Sequence, residues 1–272
     1  MHTDYSDGTF SPEEVLKHAK EKNLSAVAIC DHDTTEGAQE AAGYSAEYGV
    51  EVVPAVEVTS EREGIEIHIL GYLIDSGNKR LAWLLGRLKE SRIKRIYMMA
   101  EKLKEFDIDI SPEDVFKLSG RGTVGRLHMA KVLCGAGHVR DIREAFNKYL
   151  GDNAPCYVRR FNASPEESIK IILESGGVPV YAHPKVMGRD DFIPLFMKAG
   201  LRGIEVYHTD HNKAATERYL ALAAKLGLIA TGGSDCHGLA KKNVLIGQVT
   251  MPYSTVEELH NEQRQILHEY RP

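Results

Sequence analysis

The chain has 272 residues, 43% of them hydrophobic and 27% charged, with a net charge of −5. This is the composition of a folded protein with a sizeable core, which excludes extended disorder, and its acidic balance argues against duplex nucleic acid as a partner, leaving ends or short single strands. No apolar run has the length of a membrane span, no charged-then-apolar leader opens the chain, and the four cysteines form no CxxC pair, so a reduced, cytoplasmic protein without a membrane partner is expected.

Ser11-Pro12-Glu13-Glu14 combines an N-cap serine, a first-turn proline and a capping-box glutamate, and predicts a helix to about Lys22. Residues 24–29 are nearly continuously apolar and stop at Asp31-His32-Asp33, as a buried parallel strand does. A helix is predicted over 37–48, a strand over 51–56 before Glu57, and a strand over 65–73 carrying His68. Alternation then stops. Leu81, Leu84, Leu85, Leu88, Ile93, Ile96, Met99 and Leu103 recur at helical spacing, so residues 78–160 read as an inserted helical subdomain, with further helix starts at Ser111-Pro112 and over 123–128. Ser164-Pro165-Glu166-Glu167 returns the chain to alternation: a strand over 178–182 ending at His183, a helix over 190–198, a strand over 203–207 ending near His208, and a helix to Leu226. A strand over 228–231 ends at Ser234-Asp235, a last strand is expected over 244–251, and a helix over 254–268 closes the chain. The alternation in 1–77 and 161–272 predicts a parallel α/β fold, and polar clusters after the strands fit a barrel with its site at the carboxyl face.

Those clusters carry the chemistry. His18, His138, His260 and His268 are assigned to solvent-facing helix positions, and a lone histidine elsewhere would be read as structural. The grouping of His2, Asp7, His32, Glu57, His68, His183, Asp235 and His237 changes that reading, because charges buried at successive strand ends are costly unless a metal compensates them. Imidazole and carboxylate ligands, one carboxylate bridging, with positions open for substrate, are what water activation against phosphorus needs. Cys30 and Cys236, beside these motifs, are read as packing residues.

With those motifs the sequence resembles the PHP (polymerase and histidinol phosphatase) domain family, in its bacterial branch of stand-alone phosphoesterases acting on nucleotide or short RNA phosphates. The resemblance rests on His2-Thr3-x-x-Ser6-Asp7-Gly8, Asp31-His32-Asp33, Glu57 with His68-Ile69-Leu70-Gly71-Tyr72, Ala182-His183-Pro184, Ser234-Asp235-x-His237 and, in the insertion, Gly125-Arg126-x-His128. It implies a distorted (β/α)7 barrel with two or three divalent ions (Mn2+, Fe2+ or Zn2+). It also implies their ligands: His2 and Asp235 with Glu57, which bridges to His68 and His183, and a third set of Asp7, His32 and His237. The family's first motif opens Asp-x-His-x-His, and Met1 falls between those histidines. The expectation is an upstream strand carrying the first histidine before a start assigned too late; the alternative is that the Met1 amine or a water takes its place.

Phosphate is expected to meet cations. Arg126, after Gly125 at a helix start, is the first choice for substrate binding and catalysis. His208 is a second, for binding or for protonating the leaving oxygen, and Lys185 a third. Arg121, Arg126, His128, Arg159 and Arg160 give the insertion local positive charge suited to a bisphosphate or short oligonucleotide. The expected activity is hydrolysis of nucleoside mono- or 3',5'-bisphosphates, or of the 5' ends of short RNA, by metal-activated water. The alternatives are a histidinol phosphatase, or a catalytically weakened nucleotide-binding module.

Overall fold

In the computed structural model, which describes residues 1–240 and 243–270, the chain forms two units by its internal contacts: Met1–Leu85 with Asn162–Pro272, and Gly86–Phe161. In chain order the helices are α1 (Pro12–Glu21), α2 (Glu36–Ala42), α3 (Ser45–Tyr48), α4 (Lys79–Lys104), α5 (Pro112–Ser119), α6 (Arg126–Gly135) and α7 (Ile142–Ala145). They continue as α8 (Pro165–Glu174), α9 (Pro184–Met187), α10 (Ile193–Ala199), α11 (Lys213–Leu226) and α12 (Ser254–Tyr270). Among the described residues, no helix is long and apolar enough to cross a membrane.

The first unit is a curled mixed sheet with helices packed on it. The six strands β1 (Ala26–Ile29), β2 (Glu51–Arg62), β3 (Ile65–Tyr72), β4 (Val178–Tyr181), β5 (Gly203–His208) and β6 (Ile229–Gly233) lie side by side in sequence order. Helix α1 starts as its capping box dictates, with Glu14 N donating to Ser11 Oγ at 3.2 Å and Ser11 N to the Glu14 carboxylate at 2.8 Å. Its Val15, Leu16 and Ala19 pack with Val27 and Ile29 of β1. The helix expected over 37–48 is two helices, because the chain turns at Gly43-Tyr44.

The wholly parallel sheet expected from alternation needs correcting. β1–β2, β4–β5 and β5–β6 are parallel, but β2–β3 and β3–β4 are antiparallel. Glu63 and Gly64, both left-handed (φ 53° and 77°), form the two-residue turn favoured by β-hairpins, whereas a parallel connection needs a dozen or more residues. Strand β2 therefore runs on past residue 56, and Glu57 lies mid-strand, paired in register with Leu70, while Thr59 pairs with His68. The strand expected over 244–251 is also absent from the fold. Gln248 N donates to Leu245 O at 3.0 Å around Gly247, whose φ of 80° turns the chain instead of extending it.

Among the described residues no strand ladder joins β6 to β1, and Met1-His2 spans that seam at its carboxyl end. The Met1 amine donates to Ala28 O at 3.1 Å, Cys30 N to Met1 O at 2.8 Å, and His2 N to Cys236 O at 2.9 Å. A cavity of about 460 Å³ occupies the seam, lined by Val27, Leu70, Tyr72, Thr231, Met251 and Leu259, and it extends to Glu57 and Glu205.

The second unit is helical. Ile96, Met99 and Leu103 of α4 form its core with Ile108, Val115, Met129, Leu133, Leu150 and Val158. The apolar spacing of α4 is the source of this core: residues three and four apart share one face of a helix.

Candidate metal centre

The first wall of the site is the loop at residues 2–8, and Asp31 holds it. Thr3 N and Ser6 Oγ donate to Asp31 Oδ1 at 2.7 and 2.6 Å, and Thr3 Oγ1 donates to Oδ2 at 2.6 Å, all buried. Close packing completes the loop. A Cβ at Gly8 would fall 2.5 Å from His2 O, and one at Gly37 would fall 2.1 Å from Asp31 Oδ2, so both positions require glycine. Asp33 performs the same task one residue beyond His32, accepting from Thr59 N at 2.8 Å and tying the loop after β1 to β2.

Glu57 is the centre of the arrangement and is 2% exposed. Its Oε2 lies 3.1 Å from His2 Nε2 and 3.7 Å from His32 Nδ1. Its Oε1 lies 2.9 Å from His68 Nδ1 and 3.0 Å from His183 Nε2, and those two nitrogens are 3.2 Å apart. Asp235 Oδ1 approaches His2 Nε2 at 3.1 Å. Asp7 Oδ1 approaches His237 Nε2 at 3.3 Å and His2 Nδ1 at 3.6 Å, while Asp7 Oδ2 is 3.9 Å from His32 Nε2. The ring of His2 stacks on that of His237 at 4.2 Å. All eight histidine and carboxylate residues singled out in the sequence are thus brought to one place, from the N-terminal loop, the ends of β1, β4 and β6, and the middle of the β2–β3 hairpin.

The electrostatics are those of a crowded cluster. Burial alone would raise the Glu57 carboxyl, yet the surrounding imidazoles hold it well below the ordinary carboxylate range. Asp7 and Asp235 are likewise driven down against their burial by neighbouring histidines. Burial disfavours charge on His68, but Glu57 and Glu66 overcome it and raise the ring to about 10. His32, buried and crowded by His2 and His68, goes the other way, to about 4. The Cys30 thiol is pushed up to about 11, chiefly by burial, which suits packing and not chemistry.

Outside that cluster the expected substrate residues have different surroundings. His208, at the end of β5, is 4% exposed; in the neutral ring Asp210 N donates to Nδ1 at 3.0 Å and Nε2 carries the proton 3.7 Å from Asp235 Oδ2, and in the charged ring Nδ1–H faces Asp210 Oδ2 at 3.7 Å. Lys185 is exposed and donates to Asp210 O at 2.8 Å. Arg126 belongs to the helical unit, where it pairs with Asp152 at 2.5 Å, donates to Leu150 O at 3.3 Å, and lies over the rings of Phe146 and Tyr157. Three supports of the site lie outside the candidate set that the sequence offers: Asp31, Asp33 and Glu205, the last buried in β5, where its Oε2 accepts from His183 N at 2.8 Å and burial raises its carboxyl. The available signal for Glu205 was one acid inside the apolar run Gly203-Ile204-Glu205-Val206.

Backbone strain gathers here too. Asp33, His183 and Asp235 have φ of 57°, 27° and 46°, a region costly for non-glycine residues and frequent where a side chain must be aimed.

The donor set fits divalent metal ions. Three groups, His2-Asp7-His32-His237, His32-Glu57-His68 and His2-Glu57-Asp235, each bring their ligand atoms within 4.8 Å of one another. Buried His183 Nδ1 has no hydrogen-bond partner among the described residues. Mixed imidazole and carboxylate donors suit zinc, iron and manganese.

Known proteins resemble this chain over most of its length. The family model described as PHP domain matches residues 1–154. The chain is 34% identical over 243 residues to a 3',5'-nucleoside bisphosphate phosphatase of Chromobacterium violaceum, covering 87% of this chain and 85% of the relative. It is 32% identical over 246 residues to the 5'-3' exoribonuclease Rnm of Escherichia coli, covering 87% and 83%. A crystal structure from Bifidobacterium adolescentis, described as a metal-dependent phosphoesterase, superposes with a TM-score of 0.84 at 34% identity, over 95% of this chain and 93% of that one.

Proposed function

Because this chain belongs to the PHP domain family, we propose that its site hydrolyses nucleoside mono- or bisphosphates, or the 5' ends of short RNA, with two or three divalent ions. Metal-dependent phosphoester hydrolysis is its reaction class. The observation that carries the assignment is Glu57: its two oxygens face two different imidazole pairs, His2 with His32 and His68 with His183, as a bridging carboxylate must. On this reading His2, Asp235 and Glu57 hold one ion, Glu57, His68 and His183 a second, and Asp7, His32 and His237 a third. Ions bound there supply Lewis-acid polarisation of the phosphate and an acidified water. Asp31 and Asp33 orient the loops that carry these ligands, and Glu205 fixes the backbone of His183.

His208 is assigned the proton transfer to the leaving oxygen. Burial works against its charged form, but Asp235 and Glu205 raise it above the ordinary histidine value, which suits a general acid near neutral pH. We expect His208→Gln to retain bound metal while kcat falls by on the order of a hundredfold, losing the acidic group's limb of the kcat–pH profile. A loss of metal with unchanged chemistry per ion would make His208 a ligand instead.

Metal binding also has a proton signature. A coordinating imidazole must be neutral, and His68 stays protonated up to about 10 in the metal-free protein. Below that value an incoming ion must expel the proton, so metal affinity rises with pH up to about 10. Calorimetry at neutral pH in two buffers of different ionisation enthalpy reads the protons released. Mn2+ binding without release would remove His68 from the ligand set.

The curled six-stranded sheet is read as part of the distorted seven-stranded barrel that the family resemblance implies. A cytoplasmic location belongs to the same proposal. The deciding experiment is phosphate release from nucleoside monophosphates, 3',5'-bisphosphates, histidinol phosphate and short 5'-phosphorylated RNAs after adding Mn2+ to metal-free protein. Preference for histidinol phosphate would overturn the nucleotide assignment, and nucleotide binding without metal or hydrolysis would make this a binding module.

A further inference from the structure

Charge is strongly segregated along this chain. Residues 86–161 carry sixteen Lys and Arg against ten Asp and Glu, a net +6, in a protein whose total is −5. Part of that excess lines one groove, of about 250 Å³, between a face of α4 and residues 158–161. Arg87, Lys94 and Arg95 line it from the helix, and Arg159, Arg160 and Phe161 from the segment opposite. Among the described residues lining it, Glu90 is the one acid.

The groove is built, not incidental. Phe161 N donates to Ser91 Oγ at 2.7 Å and Ser91 Oγ donates to Phe161 O at 3.2 Å, which pins the segment to the helix. Arg95 and Arg160 are buried at 7% and 9% exposure, while Arg87, Lys94 and Arg159 are exposed. The Arg87 guanidinium lies 5.1 Å from the centre of the Phe161 ring, which is 36% exposed.

We propose that this groove on the helical unit binds the phosphodiester backbone of a single-stranded oligonucleotide. Arg87 and Lys94 are seven residues apart, about 10 Å along a helix, which matches roughly three phosphates of a stacked strand at about 3.4 Å each. Cations that follow a backbone beside an exposed aromatic or arginine plane are how single strands are held without reading sequence. The proposal deepens the reading above, naming oligonucleotides as the substrate class, but the binding it describes can be measured whether or not the metal site turns over.

The test uses the Mn2+-loaded full chain and 3'-fluorescein oligonucleotides with nuclease-resistant phosphorothioate linkages, two and eight nucleotides long, RNA and DNA in parallel, read by anisotropy. The octamer is expected to bind at least tenfold more tightly than the dimer, with a log Kd–log salt slope steeper by about 1.4 to 2.1 for two or three neutralised phosphates. Arg87→Glu combined with Lys94→Glu is expected to erase that length dependence while leaving phosphate release from a 3',5'-bisphosphate within about twofold of the parent. Milder Arg87→Gln with Lys94→Gln should give an intermediate loss and guards against misfolding of the reversed-charge variant. Equal binding of dimer and octamer, an unchanged length dependence in both variants, or a groove that takes an acidic peptide in preference to the octamer would each overturn the proposal. Bisphosphate hydrolysis failing while octamer binding persists would instead sink the catalytic reading alone.

Discussion

Replacing Glu57 with glutamine is expected to cost about a thousandfold or more in kcat, on the scale of losing a principal electrostatic element of a site, and to lower bound metal below the parent's content. Glutamine keeps the shape of the side chain but offers one neutral oxygen where the carboxylate offers two charged ones, so it cannot serve the imidazoles on both sides. Hydrogen bonding also changes, because the new NH2 can only donate toward whichever histidine pair it faces. A second readout does not depend on activity. Glu57 is the principal group that raises His68 to about 10 against its burial, so in metal-free Glu57→Gln the His68 ring should titrate far lower, followed by its imidazole NMR resonances. If His68 keeps its raised value and metal content is unchanged, Glu57 is not the centre of the site.

The second large effect falls on a residue that touches no expected ligand atom. Asp31→Ala removes an acceptor that takes three buried hydrogen bonds of 2.6–2.7 Å from Thr3 and Ser6. Bonds to a charged acceptor are each worth roughly 1.5–3 kcal/mol, and the donors left behind are stranded in a buried place, so a loss of about 3–5 kcal/mol is expected. That corresponds to a fall in Tm of roughly 6–20 °C for a chain of this size. Because the same loop carries His2 and Asp7, metal affinity should fall with stability. Asp31→Asn keeps one acceptor oxygen and should recover about half of the loss. Thermal melts with and without Mn2+ measure both; an alanine variant as stable and as metal-rich as the parent would show that the loop is held by something other than Asp31.

His208 shows how a sequence reading and a structure divide the work. Its place at the end of a strand was legible from Gly203-Ile204-Glu205-Val206-Tyr207, but a histidine there fits a solvent-facing loop as well as a buried acid. Only packing decides, and it leaves the ring 4% exposed with Nδ1 occupied by Asp210 N. Arg126 shows the same division: a cation at a helix start reads as phosphate-binding, and the fold adds its pair with Asp152 and its place over two aromatic rings.

What the sequence by itself determined is whatever depends on neighbours along the chain. The Ser-Pro-Glu helix starts, the apolar runs that stop at Asp31-His32 and His183, the α4 stripe and the identity of the eight histidine and carboxylate residues are all local patterns of spacing and residue type. Tertiary structure alone decided what depends on pairing at a distance. The Glu63-Gly64 turn reversed β3 against β2 and so set Glu57 mid-strand beside the strand that carries His68, where a strand-end reading of Glu57 could not put it. Asp31 and Glu205 became supports of the site through contacts with residues about twenty to thirty positions away. Hydrogen-bond partners and burial are properties of the folded chain, and no spacing rule within one segment contains them.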